Sequence, residues 1–144
     1  MDKFAGTIKC DIVSSQREIF SGEIVLFVAS GIAGDLGITP RHVPLITELK
    51  PGPVKLIAPD GEETIFYVGG GILEVMPHLI TVMADEASRA AELDEASAIK
   101  ARDEAERELR DGGAGMDIEM ARLKLMKSLA ELKAVELLRR KDKR

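Results

Sequence analysis

The sequence has no tryptophan, one tyrosine and a single cysteine among 144 residues. One cysteine excludes an intramolecular disulfide and any multi-thiolate metal centre. Cys10 therefore reads as a small buried hydrophobe on a strand, in a protein expected to face a reducing compartment. Aromatic residues make up only 3% of the chain, too few for a base-stacking platform. The formal net charge of −5 argues against a phosphate backbone as partner, so no nucleic acid is expected. The longest apolar run, residues 24–29, falls far short of the ~20 residues a membrane helix needs. The first residues show no basic region followed by an apolar run, so no secretory signal is expected. Proline is missing from residue 87 onward, where the only glycines are Gly112, Gly113 and Gly115.

That last absence divides the chain. Before it, the pattern is β. Ile8-Lys9-Cys10-Asp11-Ile12 alternates apolar and polar, as a half-buried strand does. Residues 24–28 form a continuous β-branched and aromatic run, expected where both faces are covered. Val54-Lys55-Leu56-Ile57 and Thr64-Ile65-Phe66-Tyr67-Val68 flank Pro59-Asp60-Gly61, a hairpin with suitable turn residues. A second hairpin is expected from residues 72–75 and 79–83 around Met76-Pro77-His78. Short strands with Gly and Pro punctuation predict an antiparallel β-sandwich or barrel over residues 1–86.

After residue 86 the period becomes helical, predicting an antiparallel two-helix hairpin over residues 87–144. Asp94 is placed to cap a first helix reaching about Arg110, and the run Asp111-Gly112-Gly113-Ala114-Gly115 ends it. Asp117 is placed to cap a second helix reaching about Arg140. The first helix offers a thin stripe of Ala98, Ala101, Ala105 and Leu109. The second carries two stripes, one of Ile118, Ala121, Leu125, Leu129 and Leu132 and one of Leu123, Met126, Ala130, Ala134 and Leu137. One stripe can pack on the first helix. The other needs the sandwich, a second chain, or each in turn, because leaving its larger side chains in water forgoes ~1.5–3 kcal/mol apiece. The first helix is rich in carboxylates and the second in lysine and arginine. Such runs are commonly solvated faces, yet a basic helix with a spare apolar stripe also suits an acidic protein groove.

No constellation for catalysis emerges. Gly31-x-x-Gly34-x-x-Gly37 lacks the Gly-Lys-Ser/Thr that opens a helix onto a phosphate, and Pro40 and Pro44 follow instead. His42 and His78 are the only histidines. Neither has the carboxylate or histidine spacing of a metal site, and no serine stands in a nucleophile-elbow context. Gly69-Gly70-Gly71 fits a bulge or a close backbone approach.

The run Gly34-Asp35-Leu36-Gly37-Ile38-Thr39-Pro40-Arg41-His42-Val43-Pro44-Leu45, continuing to Leu49-Lys50-Pro51-Gly52, resembles the signature loop of the epsilon subunits of F-type ATP synthases. Gly69-Gly70-Gly71-Ile72-Leu73-Glu74-Val75, Ile19-Phe20-Ser21-Gly22 and Leu93-Asp94-Glu95-Ala96 fit the same family in the same order. The resemblance implies a sandwich of about ten strands followed by the helix hairpin. It also implies a non-catalytic rotor subunit that couples proton flow to ATP synthesis. On it, the sandwich clamps the gamma subunit and rests on the c-ring, with Gly34, Asp35, Leu36, Arg41 and His42 as docking residues.

The hairpin, by the same resemblance, folds against the sandwich or extends into the alpha/beta catalytic head and blocks hydrolysis. Lys124, Lys127 and Lys133 are then the residues that meet the beta subunit. Some family members bind ATP through a Leu/Ile-Asp-x-x-Arg-Ala motif. Here Leu93, Asp94, Ser97 and Ala98 stand at those positions, with Ser97 in place of the arginine. Losing one charge-assisted hydrogen bond costs ~1.5–3 kcal/mol, so ATP binding is expected to be weak or absent, and no other cofactor or metal is expected. The implied location is peripheral, on the cytoplasmic face of a bacterial inner membrane. The rival from another class is a stand-alone ligand-binding β-sandwich whose hairpin is structural.

Overall fold

The alternation at the start of the chain becomes strand β1 (Ile8–Ser14), with Ile8, Cys10 and Ile12 buried and Lys9 exposed. The structure is a computed structural model and describes residues 6–113 and 115–143. Residues 1–5, Ala114 and Arg144, which fall within the ranges read above, lie outside the described residues. Seven more strands follow: β2 (Glu18–Ile24), β3 (Leu26–Gly31), β4 (Gly34–Ile38), β5 (Leu45–Ile57), β6 (Glu63–Met76), β7 (Leu79–Ala84) and β8 (Ala87–Arg89). They hydrogen-bond in the order β2-β1-β7-β6-β5-β3-β4, with β8 added to β6.

Both expected hairpins form, β5–β6 around Pro59-Asp60-Gly61 and β6–β7 around Pro77-His78. Pairing is antiparallel throughout except between β1 and β7, which run parallel, a departure from the all-antiparallel expectation. The count is eight among the described residues, not about ten. The reason lies in β5 and β6, at 13 and 14 residues the longest strands. They continue through Pro51 and Gly69-Gly70-Gly71, so each joins what local pattern divides into separate segments. The run at 24–28 departs the other way. It is split between β2 and β3 at Val25, whose N–H donates to the Ile57 carbonyl at 2.8 Å.

The glycines act as a corner. Before them Phe66 and Val68 face the core; after them Leu73 and Val75 do, so the inward phase flips by one residue. The second neighbour of β6 changes at the same place, from β8 (residues 66–68) to β7 (residues 71–76). Gly71 has φ of +144°, and a Cβ there would stand 2.2 Å from the Met83 carbonyl oxygen, so only glycine lets the two strands meet. At this corner the sheet doubles back. Ile8 and Ile12 of β1 and Phe27 and Ile38 of β3 and β4 thereby share one core with Val54, Leu56, Leu73 and Val82.

The sheet extends past residue 86, since Tyr67 of β6 faces Ser88 of β8. A 3₁₀ turn (Ala90–Glu92) then leads to helices α1 (Glu95–Asp111) and α2 (Ile118–Asp142). Both caps are those the sequence indicates. Asp94 accepts from the Ser97 N–H at 3.2 Å and Asp117 from the Met120 N–H at 3.1 Å. Ala98 and Ala105 of α1 are buried, while Ala101 and Leu109 are half-buried, so the small-residue stripe faces α2. On α2, Ala121 and Ser128 are buried and Leu125 and Leu132 half-buried.

Candidate docking surfaces

The signature loop is built as two separate places. Gly34, Asp35 and Leu36 stand on β4, the edge strand. Gly34 has φ of +129° at the tight turn opposite Gly31, where a Cβ would come within 2.9 Å of the Gly34 carbonyl oxygen. Leu36 turns inward and packs on the core, so it anchors the strand. Asp35 is exposed opposite Ser30 and lines a cleft of about 220 Å³ with Lys55, Lys133 and Leu137. Arg41 and His42 lie beyond the strand, in the connection to β5. The Arg41 N–H reaches the Pro77 carbonyl at 3.1 Å, and its φ is 65°, a left-handed conformation rare for a side-chain-bearing residue. His42 donates from Nδ1 to the Val43 carbonyl at 2.7 Å. This end therefore rests beside the β6–β7 turn and the other beside α2.

Sequence reasoning missed the apolar side chains around this loop. Ile32 is 61% exposed, Val43 71% and Ile46 70%. Across the outer face of the sheet Ile72, Met76 and Met83 are also exposed. Ile72 pairs with Met83 in the strand register, while Ile46 stands opposite Glu74, two positions along β6 from Ile72, so these apolar side chains share one face of the sheet with glutamates between them. Grouped exposed apolar side chains on a sheet face suit an interaction surface. The signal was present in Ile72-Leu73-Glu74-Val75-Met76, where positions facing away from the core are not uniformly polar.

The second surface is α2. Ala130 and Ala134 are buried against Ile65, Tyr67 and Ala90, with Leu137 and Leu138 packed beside them. This explains why β6 is buried on both faces over residues 65–68: Phe66 and Val68 enter the sandwich core, while Ile65 and Tyr67 lie under the helix. The stripe is only half used. Leu123 and Met126, earlier on it, remain exposed above Leu49, Pro51 and Ile72, and Leu129 of the other stripe is exposed beside Pro51.

Ion pairs bracket the buried patch. Lys127 meets Glu86 of the β7–β8 turn at 2.9 Å, and Lys141 meets Glu62 of the β5–β6 turn at 3.3 Å. Lys124 instead meets Glu104 of α1 at 2.8 Å, within the hairpin. Lys133 lines the cleft that holds Asp35. The three lysines thus face three different surroundings in the docked helix. Hydrogen bonding to Glu86 raises the Lys127 pKa, and the same contact from Glu104 raises that of Lys124.

Asp94, Ser97 and Ala98 do come together with Lys124 and Lys127, in a cleft of about 320 Å³ between α1 and α2. Leu93 points elsewhere, packing with the cluster under α2. Ser97 Oγ donates to Asp94 at 2.7 Å, and its two hydrogen bonds hold the Asp94 carboxyl below the ordinary carboxylate range. The motif's aspartate therefore serves as a helix cap, closed on the serine that replaces the arginine. Cys10 carries no chemistry, because burial, with the charge of Asp11 adding to it, pushes its thiol pKa up to about 12. Among the described residues no group of His, Cys, Asp and Glu is arranged to hold a metal ion, and no helix is long and apolar enough to cross a membrane.

Comparison with known proteins bears on the family and the fold. Residues 7–90 match the family described as ATP synthase, Delta/Epsilon chain, beta-sandwich domain. An ATP synthase epsilon chain of Stenotrophomonas maltophilia is 52% identical over 134 residues, covering 93% of this chain and 96% of that one. Another from Nitrosococcus oceani is 50% identical over 137 residues, covering 95% and 98%. In the cryo-EM structure of the Euglena gracilis mitochondrial ATP synthase (OSCP/F1/c-ring), one chain superposes with a TM-score of 0.80. Its identity is 18%, and the match covers 90% of this chain and 81% of that one. A chain of the Tetrahymena thermophila mitochondrial ATP synthase central stalk and c-ring does so with a TM-score of 0.58 at 15% identity, covering 90% and 97%. At those identities the structural likeness speaks for the fold.

Proposed function

The chain belongs to the family of ATP synthase epsilon chains, accessory and not catalytic subunits of that complex, and from that premise we propose that it is a rotor subunit whose hairpin is a two-position switch. The sandwich holds the gamma subunit through the apolar side chains of Ile46, Ile72 and Met83 and rests on the c-ring through the connection carrying Arg41 and His42. Asp35 and Gly34 contribute from the edge strand, with Leu36 holding that strand in place. In this reading the chain is peripheral to the cytoplasmic face of a bacterial inner membrane.

The observation that carries the switch is the half-used stripe of α2. The sandwich covers it at Ala130, Ala134 and Leu137, while its Leu123 and Met126, and Leu129 of the neighbouring stripe, are left exposed. A face larger than its docking site suits a helix with a second apolar home. Released, α2 extends along gamma into the alpha/beta head, where Lys124, Lys127 and Lys133 meet acidic residues of the beta subunit and hydrolysis stops. A switch of this kind needs a gap of only a few kcal/mol between its two arrangements.

The cleft between α1 and α2 binds ATP weakly or not at all. Ser97 occupies the arginine position and closes on Asp94, and Lys127 is already engaged by Glu86. Titration calorimetry checks this, and micromolar affinity for ATP would overturn it. For the switch, the test is a catalytic head reconstituted with the chain ending at Leu93. That truncation keeps β8 and the 3₁₀ turn, which pack on the sandwich. Binding to gamma should persist and the hydrolysis rate should rise. An unchanged rate contradicts the inhibitory role.

A further inference from the structure

The docking stripe of α2 meets the sheet in two ways. Where its residues are small, at Ala130 and Ala134, the helix closes on Ile65 and Tyr67. Where they are large, at Leu123 and Met126, a groove stays open. Two adjoining clefts, of about 400 and about 260 Å³, share Pro51 and Met126 and together form it. Helix α2 lines one side, and β5 and β6 line the other. The larger cleft is bounded by the bare backbone of Gly69-Gly70-Gly71, where no side chain obstructs an approaching chain. Charge is sorted by end: Glu48 and Asp85 line the larger cleft, Lys50 and Lys133 the smaller. None of these four side chains has an ion pair or hydrogen bond among the described residues. Lys124, Lys127 and Lys141 of the same helix all do.

We propose that this groove seats an amphipathic segment of the gamma subunit. That segment is apolar along one face, basic at the end that meets Glu48 and Asp85, and acidic at the end that meets Lys50 and Lys133. Gamma is chosen by continuity, resting on the function proposed above in which it lies over Ile46, Ile72 and Met83. Ile72 also lines the groove, so the two surfaces join. An occupant of this chemistry covers Leu123, Met126 and Ile72 and meets both unpaired charge groups at once. The groove has two walls only while the hairpin is docked. Linkage then makes the effect mutual: whatever factor docking adds to the affinity for gamma, gamma adds to docking. The open end of the stripe thus has a use in the docked arrangement as well as in the released one.

Calorimetric titration of the full chain with purified gamma tests this. Acrylamide quenching of Tyr67, the only tyrosine in a chain without tryptophan, first shows that each variant still docks its hairpin. Leu123→Glu combined with Met126→Glu should weaken binding on the order of tenfold, as expected when central apolar contacts of an interface are lost. The chain ending at Leu93 lacks the same wall and should still bind, as weakly as the double variant. Glu48→Lys and Lys50→Glu, both on the sheet side, should each weaken binding at low salt and less at high salt. Gamma should also slow amide exchange at residues 65–67 under α2 in the wild type and not in the double variant. Equal affinity of wild type and double variant overturns the groove while leaving gamma on the sheet face. Failure of the wild type to bind gamma overturns both. Self-association of the chain that the double variant abolishes gives the groove to a second copy and overturns its assignment to gamma.

Discussion

Ala134 is the residue through which hairpin docking can be perturbed without touching the sandwich core. Its side chain is fully buried against the cluster of Ile65, Tyr67 and Ala90. Ala134→Leu inserts three further carbon atoms into the buried contact between helix and sheet. Overpacking a filled site costs typically ~1–3 kcal/mol. Phe66 and Val68 face the other way, so the sandwich core does not share that cost. A helix inside a rigid core would have to absorb the strain, but α2 can lift off instead. A loss of ~1–3 kcal/mol lowers the docked-to-undocked ratio roughly 5- to 150-fold. Amide hydrogen exchange with fragment-level resolution is the assay. Residues 65–67 and the 3₁₀ turn should lose protection while β1, β3 and β7 keep theirs. Uniform loss across the chain would refute the separation of hairpin docking from the sandwich core, and unchanged protection would refute docking through Ala134.

Three further outcomes follow from particular contacts. Gly71→Ala should destabilise the sandwich by at least ~1–3 kcal/mol, since its backbone is in a region side chains rarely adopt and its Cβ would strike the Met83 carbonyl; urea unfolding measures this, and an unchanged midpoint contradicts the corner. Moderate salt should expose Tyr67 without melting the strands, because Lys127–Glu86 and Lys141–Glu62 are both at the surface and screened. Acidification should fray the start of α1. The Asp94 pKa is lowered in the folded chain, so its cap contributes above the ordinary aspartate value and is lost as pH falls through the folded one. Exchange at residues 95–98 followed into the acid range checks this, and Asp94→Ala should show the frayed ends already at neutral pH.

Much of this architecture was legible in local pattern. Asp94 and Asp117 announce their helices because a carboxylate before a polar-apolar periodic run satisfies the first free N–H groups. Pro59-Asp60-Gly61 announces its turn for a similarly local reason. The strand count was not legible, because the glycines that look like a break instead bend one long strand around a corner, which only its two partners reveal. The parallel β1–β7 pairing joins residues about 70 positions apart, beyond any local signal. The signature loop was legible as one motif, yet β4 separates Asp35 from Arg41 and His42 and sends Leu36 into the core. The partners of Lys124 and Lys127 were also hidden, since their carboxylates, Glu104 and Glu86, are set by docking geometry.

The switch is tested most directly by the hydrolysis rate of one catalytic head reconstituted in turn with the wild-type chain, with Ala134→Leu and with the chain ending at Leu93. If the released hairpin is the inhibitor, Ala134→Leu gives the slowest hydrolysis, the wild type an intermediate rate and the truncated chain the fastest. Equal rates for the three, or an Ala134→Leu rate as high as the truncated chain's, would contradict it.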